Sequence, residues 1–378
     1  MKFLRRRSCR CLNLMSNMRG LYIHIPFCVQ KCPYCDFNSY SGIFGLAENY
    51  IDALIAHAKQ FRYQSFNTVY IGGGTPTSID AQLISKLMYY VFAYFDISID
   101  AEITIEANPA TITPETLEIY RKSGINRISI GVQSFSDSVL SHLGRIHSSA
   151  EAKCAVMDAS AAGFDNISID LMFSVPGQSF PLWAYDLSYA TTLPISHISC
   201  YGLKIEPGTK FAEDGITPMP DEEDRKLYHY AVDFFKNHGF EQYEISNFSR
   251  DGKYSRHNML YWTGGEYLGL GSGAHSYVSS KRFSCVESVS DYIRFVTGKT
   301  SEVYENITEI SESEQLREKV MTGLRLCSGV DIEDVLKLTP KEKLKKYVDY
   351  GFMKINKNKI AFTLKGFDVS NSILSEII

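Results

Sequence analysis

The chain has 378 residues, 44% hydrophobic and 22% charged, enough for one large domain with a smaller companion in an ordinary globular protein. A formal net charge of −4 gives neither nucleic acid nor an anionic membrane surface a reason to bind. No run approaches the ~20 apolar residues of a membrane span, and nine scattered cysteines, an odd number, fit a reducing, cytoplasmic compartment better than a disulfide framework.

In chain order, residues 1–19 form a basic leader without acidic residues, either a short transit peptide or, as we read it, a disordered segment before the internal Met18. From there apolar strands alternate with helical stretches. Strands are expected over 21–25, 68–71, 102–106, 127–132, 167–172 and 197–201, and helices over 46–61, 80–94, 114–124, 149–162 and 180–192. Asp80 or Ser78 caps one helix, and Thr113-Pro114 opens another with Pro at its first position.

Such a βα rhythm implies parallel strands with right-handed crossovers, so a barrel or a doubly wound sheet. Cys28, the 72–75 turn, Glu106, Gln133 and Asp170 are expected at or beyond strand C-termini. Polar groups contributed by successive strand ends favour the barrel. The expected fold is therefore α/β, an incomplete TIM-like barrel over 20–215 with an extension over 216–310. An acidic helix start, Asp221-Glu222-Glu223-Asp224, opens that extension, followed by a strand at 241–245 and a Gly- and aromatic-rich loop over 247–277. Residues 311–378, charged and helical with a hairpin near 352–363, read as a small C-terminal α+β domain.

Chemistry concentrates in Cys28, Cys32 and Cys35, a C-x3-C-x2-C run directly after the first strand. Three thiolates in one tight loop suit an iron–sulfur cluster. A four-iron cubane would keep one iron open, the mark of a metal site that binds substrate. Zinc held by the three cysteines and His24, or chance clustering of buried cysteines, are the competing readings. Gly72-Gly73-Gly74-Thr75 after the second strand lets backbone groups approach a ligand closely, or is simply a tight turn. Glu106 at the third strand's end is either a ligand carboxylate or a rim salt bridge. His257, in His257-Asn258-Met259-Leu260-Tyr261-Trp262, is either a heme ligand among stacking aromatics or a satisfied buried histidine. His275 is a weaker candidate.

The run Tyr22-Ile23-His24-Ile25-Pro26-Phe27-Cys28 through Tyr34-Cys35-Asp36-Phe37 resembles the radical SAM superfamily. Within it, the run resembles the HemN/HemW group of oxygen-independent coproporphyrinogen oxidases and heme-chaperone relatives. The resemblance implies a [4Fe-4S] cluster on the three cysteines, with S-adenosylmethionine on the open iron and an electron donor to reduce the cluster. It implies that Gly73, Gly74 and Thr75 hold the methionine part. Tyr22, Tyr34, Glu106, Gln133, Arg145 and Asp170 fall in the frame of the remaining S-adenosylmethionine contacts, and His257 matches the group's heme-related HNxxYW signature. In the oxidases a fourth cysteine follows the third by two residues, where this chain has Phe37, and a longer N-terminal extension precedes the tyrosine that Tyr22 matches here. Both departures point to the chaperone branch, which binds heme and passes it to an acceptor protein. The alternative is the oxidase, in which a 5′-deoxyadenosyl radical starts the decarboxylation of two propionates of coproporphyrinogen III.

Overall fold

A computed structural model describes residues 18–378, so the leader expected over 1–19 lies outside the described residues up to 17. Its last two residues do not belong to a leader. Met18 is buried against Tyr243, Met259, Leu260 and Leu326, and Arg19 opens the first strand.

The large sheet has twelve strands in the order β12-β11-β10-β9-β1-β2-β3-β4-β5-β6-β8-β7, in which β11 is Lys281–Cys285. Its centre is β1 (Arg19–Ile25), β2 (Ser65–Gly73), β3 (Asp96–Ala107), β4 (Arg127–Gln133), β5 (Asn166–Phe173) and β6 (His197–Gly202), each parallel to the next. Helices Ala47–Ala58, Ala81–Tyr94, Pro114–Lys122, Ser149–Ala161 and Phe180–Ala190 make the crossovers. Sequential strand order in one direction puts all these helices on one face, as in a barrel. A doubly wound sheet would reverse its order at a switch point. The two edges, β7 (Glu241–Gln242) and β12 (Tyr304–Glu309), do not pair with each other, so the barrel stays open.

Register decides which side chains face which way. Leu21, Val69 and Ile103 line up across β1 to β3, as do Ile105, Ile128 and Ile167 across β3 to β5, and Ile169 pairs with Ile198 on β6. All are buried in one apolar core with Tyr50, Leu54, Leu87, Leu117, Val156 and Leu187 of the covering helices. Because strand side chains alternate, the intervening positions share the opposite face. There Tyr22 pairs with Tyr70, Thr104 with Arg127, and Glu106 with Ser129. The convex face is thus hydrocarbon and the concave face polar.

Caps set the helix starts. Asp80 accepts from Gln82 N, and Thr113 with Thr116, Ser148 with Glu151 and Ser311 with Glu314 form capping boxes.

The sequence reading of 247–277 as a loop is corrected. This stretch folds into β8 (Asn247–Ser249), the helix Arg256–Thr263, β9 (Glu266–Leu270) and the start of β10 (His275–Val278). The helix has eight residues, too few for a clear 3.6-residue pattern, and is fixed by Ser255 as N-cap and Gly264 at φ +71° as C-cap. Glycine here reflects close packing as much as looping: a Cβ on Gly269 would sit 2.2 Å from the carbonyl oxygen of His275. β9 pairs in parallel with β1 and extends the barrel on that side. The strand expected over 241–245 ends at Gln242, and Glu244 instead bridges to Leu326.

After residue 311 the chain builds a second core around Val320, Leu344, Ile360, Phe362 and Ile373, with β14 (Met353–Asn356) and β15 (Lys359–Phe362) as the expected hairpin.

Ile128 is fully buried at the centre of the convex core. Ile128→Ala is expected to cost about 2–5 kcal/mol, read as a lower denaturation midpoint in urea.

Candidate cofactor site at the barrel mouth

The cysteine loop leaves β1 at Ile25 and is clamped at its stem, Cys28 N donating to Tyr40 O (2.9 Å) and Tyr40 N to Pro26 O (2.7 Å). A turn in which Cys35 N donates to Cys32 O (3.0 Å) brings the last two thiols close in the chain. Cys28 is buried, while Cys32 and Cys35 are half-buried. Burial pushes the thiols of Cys28 and Cys35 up, and neighbouring cysteines add to the effect.

His24 is not directed to these sulfurs. Its Nε2 bonds to Asn38 O (2.8 Å) and its Nδ1 to the Tyr22 hydroxyl (3.0 Å). Both imidazole nitrogens are engaged, so the Cys3His zinc set is not assembled.

The glycine turn lies directly on this loop. Gly74 N donates to Ile25 O (2.9 Å), Thr75 N to Phe27 O (2.8 Å), and Thr75 Oγ1 lies 3.6 Å from Cys28 Sγ. A Cβ on Gly74 would meet Phe27 O at 2.7 Å and Cys28 Sγ at 2.9 Å. Gly73 has φ +118°, outside the range of ordinary side-chain-bearing residues.

Across the mouth, Glu106 accepts from Tyr70 Oη (2.6 Å) and from Gly73 N (3.1 Å). Burial raises its pKa to about 7, with Asp170 adding and Tyr70, Gly73 and Arg127 opposing. Asp170 accepts from Ser129 Oγ (3.4 Å) and is also raised by burial. It sits in the middle of β5, inward-facing and opposite Ser199, rather than at the strand end expected from the sequence. Tyr22 is likewise mid-strand, its ring 6.3 Å from that of Tyr70.

Arg145 joins three of the expected residues into one group. Its Nη2 donates to Gly131 O (2.8 Å), and its Nη1 lies 3.5 Å from Cys32 Sγ and 3.4 Å from Tyr34 Oη. Its Nε is buried without a hydrogen-bond partner. Gln133, nearly buried beside it, holds φ +65°, a strained value for a non-glycine residue and one that clusters at functional sites.

His257 lies elsewhere, on the floor of the concave face. Nδ1 bonds to Thr68 Oγ1 (2.8 Å), Nε2 to Tyr261 Oη (3.0 Å), and the ring stacks on Tyr70 at 5.1 Å. Burial, with Arg127 adding, lowers its pKa to about 3, so the imidazole is neutral. Both nitrogens are occupied, which differs from the open axial ligand expected of a heme-binding histidine. His275 is exposed at the start of β10.

Sequence reasoning missed Tyr70 and Arg127. Tyr70 orients Glu106, and Arg127 is a fully enclosed guanidinium whose Nε has no hydrogen-bond partner. Their signal was present: each is a polar position beside an isoleucine or valine that faces the helices, but nothing in the chain said that the other face would be enclosed.

Three thiols after β1, a backbone cradle too tight for a Cβ and a cationic Arg145 beside a sulfur fit a thiolate-held iron–sulfur cluster with an anionic ligand next to it. That donor set on a partial βα barrel defines a radical SAM protein, a family that carries a [4Fe-4S] cluster and S-adenosylmethionine. The sequence model of the Radical SAM superfamily matches residues 22–181. Heme chaperone HemW of Bacillus subtilis is 37% identical over 83% of this chain and 85% of its own. HemW of Lactococcus lactis is 31% identical over 97% and 98%, and that of Escherichia coli 40% over 69% and 70%. The chain belongs to the HemW family. The coproporphyrinogen III oxidase HemN of Escherichia coli shares the fold, with a TM-score of 0.83 over 97% of this chain and 92% of that one, at 22% identity.

The raised pKa of Glu106 gives a pH test. Its folded value of about 7 exceeds the ordinary 4.5, so the folded state keeps a proton that the unfolded chain releases between those values. The wild type therefore loses this contribution as pH rises from 4.5 to 7. Glu106→Gln has no proton to lose, so its stability relative to the wild type should rise across that window and level off above it. Denaturation midpoints of the cluster-free chain at several pH values read this directly; a constant difference would refute the assignment.

Proposed function

We propose that this chain is a radical SAM heme chaperone, which binds heme and transfers it to an acceptor protein. The observation that carries the reading is full-length similarity to a heme chaperone, 97% of this chain against 98% of the Lactococcus lactis protein. Phe37 supports it: where the oxidases place a fourth cysteine, this chain has an aromatic ring, 64% exposed.

In this reading Cys28, Cys32 and Cys35 hold the cluster, and the donor loop leaves one iron for S-adenosylmethionine. When bound and reduced by an electron donor, the cluster would supply one-electron reducing chemistry next to the S-adenosylmethionine sulfonium. The chain's own residues position the ligand. Gly73, Gly74 and Thr75 present backbone to its methionine part, since any larger residue at 74 would strike Cys28. Glu106, fixed by Tyr70 and Gly73, accepts from an ammonium, and ligand cation next to it would favour its charged form. Arg145 is aimed to meet a carboxylate, with Gln133, Asp170, Tyr22 and Tyr34 completing the enclosure. His257 acts by holding Tyr261 and Tyr70 in place rather than as an axial ligand.

Anaerobic reconstitution with iron and sulfide, followed by separate addition of heme and of coproporphyrinogen III, tests the reading. Heme should bind stoichiometrically and no decarboxylated product should form; product formation would replace the chaperone by the oxidase. Cys32→Ser should abolish the cluster's visible absorption. In His257→Ala the heme spectrum should keep its axial-ligand bands, because neither imidazole nitrogen is free for iron.

A further inference from the structure

The end of β4 is held in a conformation that its own residues disfavour. Ile130 pairs with Ile169 and Gln133 with Leu171, so β4 uses one residue more than β5 over the same span. A bulge of this kind re-aims a side chain and is common beside active sites. Gln133 carries the strain, at φ +65°. A Cβ on Gly131 would sit 3.0 Å from Gln133 Nε2 and 3.2 Å from Arg145 Nη2, so amide and guanidinium share the space over that glycine.

Two side chains outside the cofactor site clamp this bulge. On one side the buried His147 places Nε2 3.0 Å from Val132 O. A carbonyl only accepts, so Nε2 carries the proton. On the other side Asp186 accepts from Ser134 Oγ (2.7 Å) and from Phe135 N (2.7 Å), and Ser134 Oγ accepts in turn from Ser136 N (3.0 Å). The Phe135 ring packs 4.8 Å from that of Tyr189, one turn further along the helix that carries Asp186.

For stability alone, Asp186 is out of place. It lies fully buried in the middle of the helix Phe180–Ala190, which also buries Trp183, Leu187 and Ala190. Aspartate is a poor residue for a helix interior, and a buried carboxylate is costly. Lys153 lends a favourable field, but its ammonium stands over the Tyr189 ring (4.3 Å). What Asp186 does engage is the pair of residues directly after Gln133.

We propose that Asp186 is a positioning residue for the cofactor, with His147 as its counterpart. Together they keep residues 131–136 bulged, so that Gln133 presents its amide beside Arg145 to S-adenosylmethionine. The inference rests on the reading above that Gln133 and Arg145 border the cofactor.

A double-mutant cycle of Asp186→Ala and Gln133→Gly tests it, with anaerobically reconstituted full-length protein titrated with S-adenosylmethionine. Each affinity is counted per cluster, read from visible absorption. Either single variant should weaken binding about tenfold, the scale of one lost hydrogen bond to a charged ligand. In the Gln133→Gly background, Asp186→Ala should cost less than about twofold more, because the side chain it positions is already gone. Additive losses, or wild-type affinity in Asp186→Ala, would overturn the positioning role. Should Asp186→Ala fold poorly, Ser134→Ala, which removes one of the two bonds and keeps the carboxylate, replaces it in the cycle under the same criteria. A wild type that binds no S-adenosylmethionine, or Gln133→Gly with undiminished affinity, would instead overturn the cofactor placement on which the inference rests.

Discussion

The whole molecule depends on one constraint, the alternation of side chains along seven adjacent parallel strands, β9 and β1 to β6. Each strand places isoleucine, leucine or valine on the helix side at one parity and polar or aromatic groups on the other. Apolar burial on the convex side, at roughly 25 cal/mol per Å², holds the sheet to its helices. That same register forces Tyr22, Tyr70, Glu106, Arg127 and Asp170 to share the concave side. A one-residue slip in any strand would exchange the two sets, so stability and site geometry are specified together.

Enclosing charge on the concave face is unfavourable unless hydrogen bonds and opposite charges compensate. Glu106 receives two donors and the field of Arg127, yet burial still raises its pKa to about 7. Burial raises the carboxyl of Asp170 as well. Two carboxyls poised this way are prepared for a cation, and Arg145, with Nη1 beside Cys32 and an unpartnered Nε, is prepared for an anion. The zwitterionic head of an amino acid has both charges. Strain at Gln133 and the close approach at Gly74 indicate how tightly the backbone is drawn around this space.

The helix Arg256–Thr263 connects this interior to the rest of the chain. Its inward face carries His257, locked between Thr68 and Tyr261, and its outward end carries Trp262 against Arg325 and the C-terminal helix Glu312–Gly323, whose Thr322 donates to Trp262 O. With both faces engaged, this short helix ties the barrel to the C-terminal core.

The sequence by itself determined the parallel βα order, most helix starts and the cysteine loop, because these depend on local signals: side-chain period, caps and ligand spacing in one turn. Tertiary structure alone decided the rest. Whether Asp170 and Tyr22 lie at strand ends or mid-strand depends on register with neighbours. The fate of 247–277 depends on β1 accepting β9 in parallel. His257's two hydrogen bonds come from residues 189 positions away and one turn on, and only the first lies beyond any local pattern. Tyr70 and Arg127 became site residues because the fold enclosed the face they occupy, a long-range outcome that no window of the chain contains.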